Sequence, residues 1–182
     1  QSITTNKTYF GADTLPAQHN GSVSVTGLYA KKDFRIGGLH LNHRVLLQFS
    51  SAQEVVPVPL ASVYLSYFYE FNVVKGVLRL QIGLDGRYNT KYAGFGYNPA
   101  IGQFYNRREY VEDKDKNKKL LEVGGYPFID LFAAAKWKRM RIFVKMQHLN
   151  DDLIGGRNYF SVAHYPLTKR FLKVGFSWSF YD

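Results

Sequence analysis

The segment that decides the fold spans residues 78–92 and has the sequence Leu-Arg-Leu-Gln-Ile-Gly-Leu-Asp-Gly-Arg-Tyr-Asn-Thr-Lys-Tyr. Every even position from 78 to 84 is aliphatic and tyrosine follows at 88 and 92, whereas the odd positions hold charged or amide side chains and one glycine. A period of two predicts a β-strand with one apolar and one charged face. Because strands of ordinary globular sheets are about five or six residues long, this segment is too long for a small β-sandwich.

The same alternation recurs along the chain and predicts about seven long antiparallel strands. The other strong segments are residues 39–50, 61–73, 129–138, 142–147 and 172–180, and a weaker one covers 22–30. Two-residue turns are predicted at Lys32-Asp33, Lys75-Gly76 and Lys138-Arg139. Long loops are predicted near 51–59, 93–119 and 150–170. Short turns at one end and long loops at the other are typical of outer-membrane β-barrels.

Composition narrows the class of protein. The 182 residues are 46% hydrophobic, which excludes wholesale disorder, and they include 14 Tyr, 14 Phe and no cysteine. No stretch approaches the roughly 20 apolar residues of a membrane helix. The formal charge is +10, but the basic residues are spread over turns and strands instead of clustering, which argues against a nucleic-acid partner.

Alternation alone allows an apolar face that points inward, as in a soluble lipocalin-like barrel, or outward into lipid. The strongly charged character of the other face favours the outward orientation. Aromatic residues fall near both ends of the strands, where amphipathic rings prefer a membrane interface. The predicted interface aromatics are Tyr69, Phe71, Trp137 and Trp178 at the turn end, and Tyr88 and Tyr92 at the loop end.

The C-terminal strand has the pattern polar-x-Gly-x-x-aromatic-x-aromatic. Its defining residues are Lys173, Gly175, Trp178 and Phe180. This pattern resembles the β-signal by which the barrel-assembly machinery recognises outer-membrane proteins. The alternative is an ordinary aromatic edge strand at the end of the chain.

Four segments of the last third, residues 126–132, 136–145, 158–166 and 176–182, resemble the C-terminal part of the putative porin family of Bacteroidetes. The resemblance implies an outer-membrane β-barrel with diffusive transport and no catalytic residues. Members of that family are several times longer, so we expect residues 22–182 to be part of one larger barrel domain. Residues 1–21 form a polar segment that hides one weak strand around residues 8–10 or is the remnant of an upstream strand or loop.

The charged positions of the strands define a predicted lumen face. It comprises Arg44, Glu70, Arg79, Gln81, Asp85, Arg87, Lys91, Asp130, Lys136, Lys145 and Lys173, with Glu122 near it. An excess of basic side chains along a water-filled pore favours anions. Alternatively, these charges pair across strands simply to fill a narrow interior.

Two other features attract attention. His43 falls on the predicted lipid face, where a local bulge, a neutral imidazole or contact with a partner chain would account for it. Asn150-Asp151-Asp152 could supply oxygen ligands for calcium, but it lacks regular ligand spacing, and a solvated turn is preferred. We expect no metal and no cofactor.

The leading hypothesis is a passive outer-membrane pore for small hydrophilic solutes that tends to select anions. The alternative is a non-conducting structural or accessory barrel that binds other outer-membrane proteins. Neither is an enzyme. The expected partners are the lipid bilayer of the outer membrane and, during biogenesis, the barrel-assembly machinery.

Overall fold

The computed structural model describes residues 2–5, 9–12, 15–100, 102–105, 110–112, 118–153, 160–162 and 165–180. Eight of its strands form one antiparallel sheet in which spatial order follows chain order. They are β1 (Ser2–Thr5), β2 (Val23–Ile36), β3 (Leu39–Ser50), β4 (Ala61–Val74), β5 (Leu78–Asn89), β6 (Phe128–Trp137), β7 (Met140–Gln147) and β8 (Phe171–Trp178). The prediction of an all-β, antiparallel fold is confirmed.

Short two-stranded sheets account for the remaining strands. They pair Tyr9–Ala12 with Leu15–Gln18, Tyr92–Ala93 with Glu122–Val123, Gly96–Asn98 with Gln103–Tyr105, Tyr110–Glu112 with Lys118–Leu120, and Phe160–Val162 with Tyr165–Pro166. Four of these five pairs lie in the two longest connections of the sheet, β5–β6 and β7–β8. Among the described residues, no helix is long and apolar enough to cross a membrane.

The sheet is open at both edges in the part of the chain that is described. β8 has only β7 as a neighbour, and β1 covers only Val23–Thr26 of β2. Two short strands lie in the N-terminal segment: Ser2–Thr5, which joins the sheet, and Tyr9–Ala12, near the predicted weak strand, which pairs with Leu15–Gln18 in a separate hairpin. The arrangement is that of a partial barrel.

One predicted turn was wrong. β2 continues through Lys32 and Asp33 as far as Ile36, and the chain reverses at Gly37-Gly38, where Gly37 has a φ of 59°. Glycine adopts this left-handed conformation without steric cost. The chain does turn at the other two predicted places, Lys75–Val77 and Lys138-Arg139.

Two predicted strands end earlier than their alternation suggests. β5 ends at Asn89, whose carbonyl accepts a hydrogen bond of 2.7 Å from the N–H of Gly125 in the incoming loop. Lys91 and Tyr92 therefore lie beyond the strand. β8 ends at Trp178, so Phe180 follows the strand instead of belonging to it.

Alternation divides the sheet into two faces. Odd-numbered residues of β3, β4 and β6 lie on the apolar face. Even-numbered residues of β2, β5, β7 and β8 lie on the same face. Its large side chains are strongly exposed, with Phe176 at 77% and Val174 at 65%. A continuous apolar surface of this extent indicates contact with lipid or with another protein. The only cluster of buried apolar residues among those described, Val23, Ala52 and Val55, lies at the loop end.

Candidate functional site

The opposite face, here called the polar face, is built from rows of side chains that run across the strands. In one row Arg44 of β3 is opposite Tyr64 of β4, which is opposite Arg87 of β5, which is opposite Phe128 of β6. Partners in an antiparallel register point to the same side of the sheet. Register therefore fixes which charges share a surface.

Ten of the eleven predicted lumen residues lie on the polar face. They are Arg44, Glu70, Arg79, Gln81, Asp85, Arg87, Asp130, Lys136, Lys145 and Lys173. Lys91 and the neighbouring candidate Glu122 do not, because both lie in the connection between β5 and β6, Glu122 in the short strand that pairs with Tyr92–Ala93. That this face lines a pore stays a prediction.

Sequence reasoning missed four charged residues of the polar face. Lys31, Asp33 and Arg35 were overlooked because the turn was placed inside β2, and Arg141 lies one alternation step before the segment that was recognised. Among the described residues, the strands of this face hold nine basic side chains: Lys31, Arg35, Arg44, Arg79, Arg87, Lys136, Arg141, Lys145 and Lys173. They hold four carboxylates: Asp33, Glu70, Asp85 and Asp130.

Two carboxylates face each other at the centre of the polar face. Asp85 and Asp130 are register partners, an arrangement that is unfavourable for like charges. The ammonium group of Lys145 lies between them, 2.9 Å from Asp85 Oδ2 and 3.0 Å from Asp130 Oδ2. Lys145 thereby offsets the repulsion and ties β7 to β5 and β6.

Asp130 has further donors. Its Oδ2 also lies 2.9 Å from Arg87 Nη2, and its Oδ1 accepts a hydrogen bond from the backbone N–H of His148. The guanidinium of Arg87 lies over the ring of Phe128 at 4.6 Å. With Lys145, Arg87 and the His148 N–H arranged around it, the carboxylate is completely buried. Buried charges in proteins are normally paired in this way.

A second ionic group lies nearer the turn end. Glu70 accepts a hydrogen bond of 2.6 Å from the amide of Gln81 and lies 3.3 Å from Arg79 Nη1. Cross-strand pairing of charges is thus present, as one of the two interpretations of the sequence expected. These pairs do not neutralise all the positive charge of the polar face, however. With the described residues no ion pair is formed by Arg44, Lys136, Arg141 or Lys173.

Aromatic rings interleave with the charges of the polar face. His40 stacks on Phe68 with centroids 4.5 Å apart, and Phe68 lies 6.3 Å from Phe132. Gly83 lies between these two phenylalanines in the register, and a Cβ there would meet Phe68 Cβ and the Tyr67 carbonyl oxygen, so the glycine permits the close approach of the neighbouring strand. The sequence analysis did not predict this row, because it assigned only charged and amide side chains to the polar face.

A cleft of about 270 Å³ opens beside the central charges. Its lining consists of Tyr64, Asp85, Arg87, Asp130, Lys145, Gln147 and Lys173. The Tyr64 hydroxyl makes only a long hydrogen bond of 3.4 Å to Asp85. The cleft therefore combines paired charges with donor groups that are weakly engaged.

The loop end of β6 and β7 is fixed by a buried network that the sequence did not reveal. His148, which is fully buried, donates from Nδ1 to the carbonyl of Thr168 at 2.6 Å and accepts at Nε2 from the hydroxyl of Tyr126 at 2.8 Å. Asn150 accepts at Oδ1 from the N–H of Ile129. These bonds join three loop segments next to Asp130.

The expectation of a solvated turn at Asn150-Asp151-Asp152 is wrong for its first two residues. Asn150 and Asp151 are buried, and Asp151 accepts at Oδ2 from the backbone N–H of Arg170. The side-chain oxygens of Asn150 and Asp151 accept hydrogen bonds from backbone N–H groups of neighbouring segments. Among the residues that the structure describes, no group of three or more His, Cys, Asp or Glu side chains could hold a metal ion.

Three of the four predicted assembly-signal residues lie in β8 and Phe180 follows it. Trp178 and Phe180 stack with centroids 6.5 Å apart, and both are exposed. Gly175 lies opposite Phe143, whose ring covers it, so that a Cβ at position 175 would lie 2.5 Å from the ring. Recognition by the assembly machinery stays a prediction.

The predicted interface aromatics fall into two groups. Tyr69, Phe71, Tyr88, Trp137 and Trp178 all lie on the apolar face. Tyr92 does not fit, because it is half-buried in a short ladder with Val123, and burial raises the pKa of its phenol above the usual value. Tyr92 is better described as part of the loop packing.

His43 lies on the apolar face without any bulge in its strand pairing. Its Nε2 shares a hydrogen bond of 2.8 Å with the hydroxyl of Tyr67, and its ring lies edge-on to Phe34 at 5.7 Å. The sheet itself thus supplies contacts for this side chain.

Comparison with known protein families identifies the relationship of this chain. The family model described as putative porin matches residues 2–182. No curated protein and no solved structure matches this chain. Because the family model covers almost the whole chain, and the two-faced antiparallel sheet agrees with it, the chain belongs to the putative porin family.

Proposed function

We propose that this protein forms a water-filled pore in the bacterial outer membrane through which small hydrophilic solutes diffuse passively, with a preference for anions. The observation that supports it is the division of the sheet into an exposed apolar face and a net basic polar face. In lipid, every backbone polar group needs a partner, which a closed barrel supplies. The open edges of β2 and β8 would then pair with further strands of the complete barrel.

The preference for anions follows from the charge of the polar face. Among the described residues the strands of this face carry nine basic side chains and four carboxylates, and all four carboxylates are paired, with Lys31, Arg79, Arg87 or Lys145. A pore lined with unpaired cations attracts anions and repels cations. The resulting selectivity depends on ionic strength, since salt screens exposed charges.

Planar-bilayer recording of the full-length protein tests this proposal. We expect discrete conductance steps. Under a potassium chloride gradient, the sign of the reversal potential should show that chloride permeates more readily than potassium. Arg141→Glu, on the polar face, should reduce the preference more than Lys75→Glu, in the turn outside that face. Absence of steps, or a cation preference in the unchanged protein, contradicts the proposal.

A non-conducting barrel bound to other outer-membrane proteins is the second candidate. Its sequence support was His43 on the apolar face together with the long loops, and His43 already has Tyr67 and Phe34 as neighbours within the sheet. A stoichiometric partner that co-purifies from membranes, together with no conductance, would favour it over the pore.

A further inference from the structure

We propose that the cleft beside Asp85 and Asp130 is a binding site for small oxyanions, meaning solutes with a carboxylate or phosphate group, and that Lys173 makes the principal contact. The proposal rests on the proposed function, because it names the solute class that this face of the pore would retain. Below, this cleft is called the oxyanion site.

The cleft is lined by three basic side chains and two carboxylates, so one positive charge is not balanced. Arg87 and Lys145 are paired with Asp130 and Asp85. Lys173 forms no ion pair with any described residue, and its ammonium group lies 4.9 Å from the ring centroid of Phe171. It is also the register partner of Lys145, so a second positive charge lies on the neighbouring strand. A monoanion would balance the surplus.

A further unpaired cation flanks the cleft. The guanidinium of Arg44 lies 5.3 Å from the ring centroid of Tyr64, which lines the cleft, and makes no ion pair among the described residues. Cations that remain unneutralised at one side of a cleft raise the local concentration of anions.

Donors predominate among the hydrogen-bonding groups that remain free in the described lining of the cleft, where Gln147 Oε1 is a buried side-chain acceptor without a partner. The acceptor oxygens of Asp130 are taken by Arg87, Lys145 and the His148 backbone. Arg87 and Lys173 each retain N–H groups, and neither side chain has an acceptor of its own. Such a set binds a ligand rich in acceptors, and charge-assisted bonds to carboxylate or phosphate are the strong ones. A neutral polyol has Gln147 Oε1 to donate to but leaves the surplus positive charge unbalanced, so it fits less well.

The volume limits the solute to a small one. Pockets for drug-sized ligands span about 300–1,000 Å³, and the cleft measures about 270 Å³. Inorganic phosphate and acetate are therefore suitable probes, since each presents the shared oxyanion chemistry without a large body.

Equilibrium dialysis of radiolabelled phosphate against the full-length protein in detergent, at constant ionic strength, tests the site directly. We expect saturable binding that acetate reduces by competition and that an equal concentration of glycerol leaves unchanged. Lys173→Met should weaken phosphate binding about tenfold, the usual effect of losing one charge-assisted hydrogen bond, whereas Lys173→Arg should largely retain it. If acetate competes with phosphate, the site binds oxyanions in general. If phosphate binds and acetate does not compete, the site is specific for phosphate.

Lys136→Met is the matched control, because it also removes one unpaired cation from the polar face but lies outside the cleft. It should change phosphate affinity less than about twofold. Equal effects of Lys136→Met and Lys173→Met, or no saturable binding at all, overturn the oxyanion site. Should Lys173→Met not refold, acylation of the unchanged protein gives the same answer: phosphate must slow modification of Lys173 more than that of Lys136, and equal rates overturn the site.

Conductance measurements distinguish failure of the oxyanion-site proposal from failure of the pore proposal. Saturable phosphate binding without conductance steps would leave the oxyanion site standing and remove the pore. Chloride conductance without saturable phosphate binding would leave the pore standing and remove the oxyanion site. Where both hold, phosphate should reduce the chloride current in a saturable manner, and Lys173→Met should raise the concentration required.

Discussion

At the scale of single residues, the polar face is organised around one carboxylate. Asp130 faces Asp85 in the register, and it is fully buried with Arg87, Lys145 and the His148 backbone around it. The same carboxylate therefore joins three strands of the sheet and the loop network at His148. Removal of one member of a buried group of charges is costly because its partners are left uncompensated.

Asp130→Asn should lower the free energy of unfolding by about 1.5–3 kcal/mol, because two cations lose a charged acceptor while the side-chain volume is unchanged. Urea unfolding in detergent micelles, followed by heat-modifiable gel migration, measures the loss. Asp33→Asn is the control: its pair with Lys31 is about half exposed and should contribute at most about 1 kcal/mol. Equal losses would show that Asp130 is no more important than an exposed ion pair.

Gly175 gives a second prediction at this scale. Gly175→Ala should cost about 1–3 kcal/mol, since the new methyl group meets the ring of Phe143. In a Phe143→Ala background the same change should cost little, and a double-mutant cycle in refolded protein measures the coupling. If the cost persists without the ring, then the glycine serves backbone conformation or assembly instead of packing.

At the scale of elements, β8 shows how one strand serves two environments. Leu172, Val174, Phe176 and Trp178 lie on the apolar face and are exposed, whereas Lys173, Gly175 and Ser177 point to the polar face. Because strand neighbours alternate sides, adjacent positions in β8 should tolerate the same charge very differently.

Phe176→Arg should destabilise the barrel by roughly 2–4 kcal/mol in lipid if the residue lies near the bilayer midplane. Ser177→Arg places the same side chain one residue further on, on the polar face, and should cost less than about 1 kcal/mol. Unfolding of both variants by urea in liposomes measures the difference. Equal tolerance would show that the apolar face does not contact lipid.

At the scale of the whole molecule, the sheet reverses the usual arrangement of a globular protein. Its large apolar side chains are exposed and its charges are partly buried. Since the chain contains no cysteine, single cysteines report the surroundings of each face without interference.

In liposomes, Ser177→Cys should react with a membrane-impermeant thiol reagent, and Val174→Cys should not, although Val174 is 65% exposed on the bare protein surface. Lipid is the reason for the difference, so both cysteines should react after unfolding in urea. The yield of labelled protein by mass spectrometry measures it. Rapid labelling of Val174→Cys in folded protein would mean that the apolar face is in water.

The sequence by itself determined the all-β class, the two faces of the strands and most residues of the polar face. It did so because side chains of a strand alternate with a strict period of two, which requires no knowledge of neighbouring strands. The segments of the last third were also enough to indicate the family. Their assignment to Bacteroidetes stays a prediction.

Only the tertiary structure decided which charges meet. The opposition of Asp85 and Asp130, the bridge through Lys145 and the network at His148 depend on strand register and on loops that return from distant parts of the chain. The misplaced turn at Lys32-Asp33 has the same cause, since pairing of β2 with β3 extends the strand to Ile36. Register follows from the packing and hydrogen bonding of whole strands, and a single strand's pattern does not contain that information.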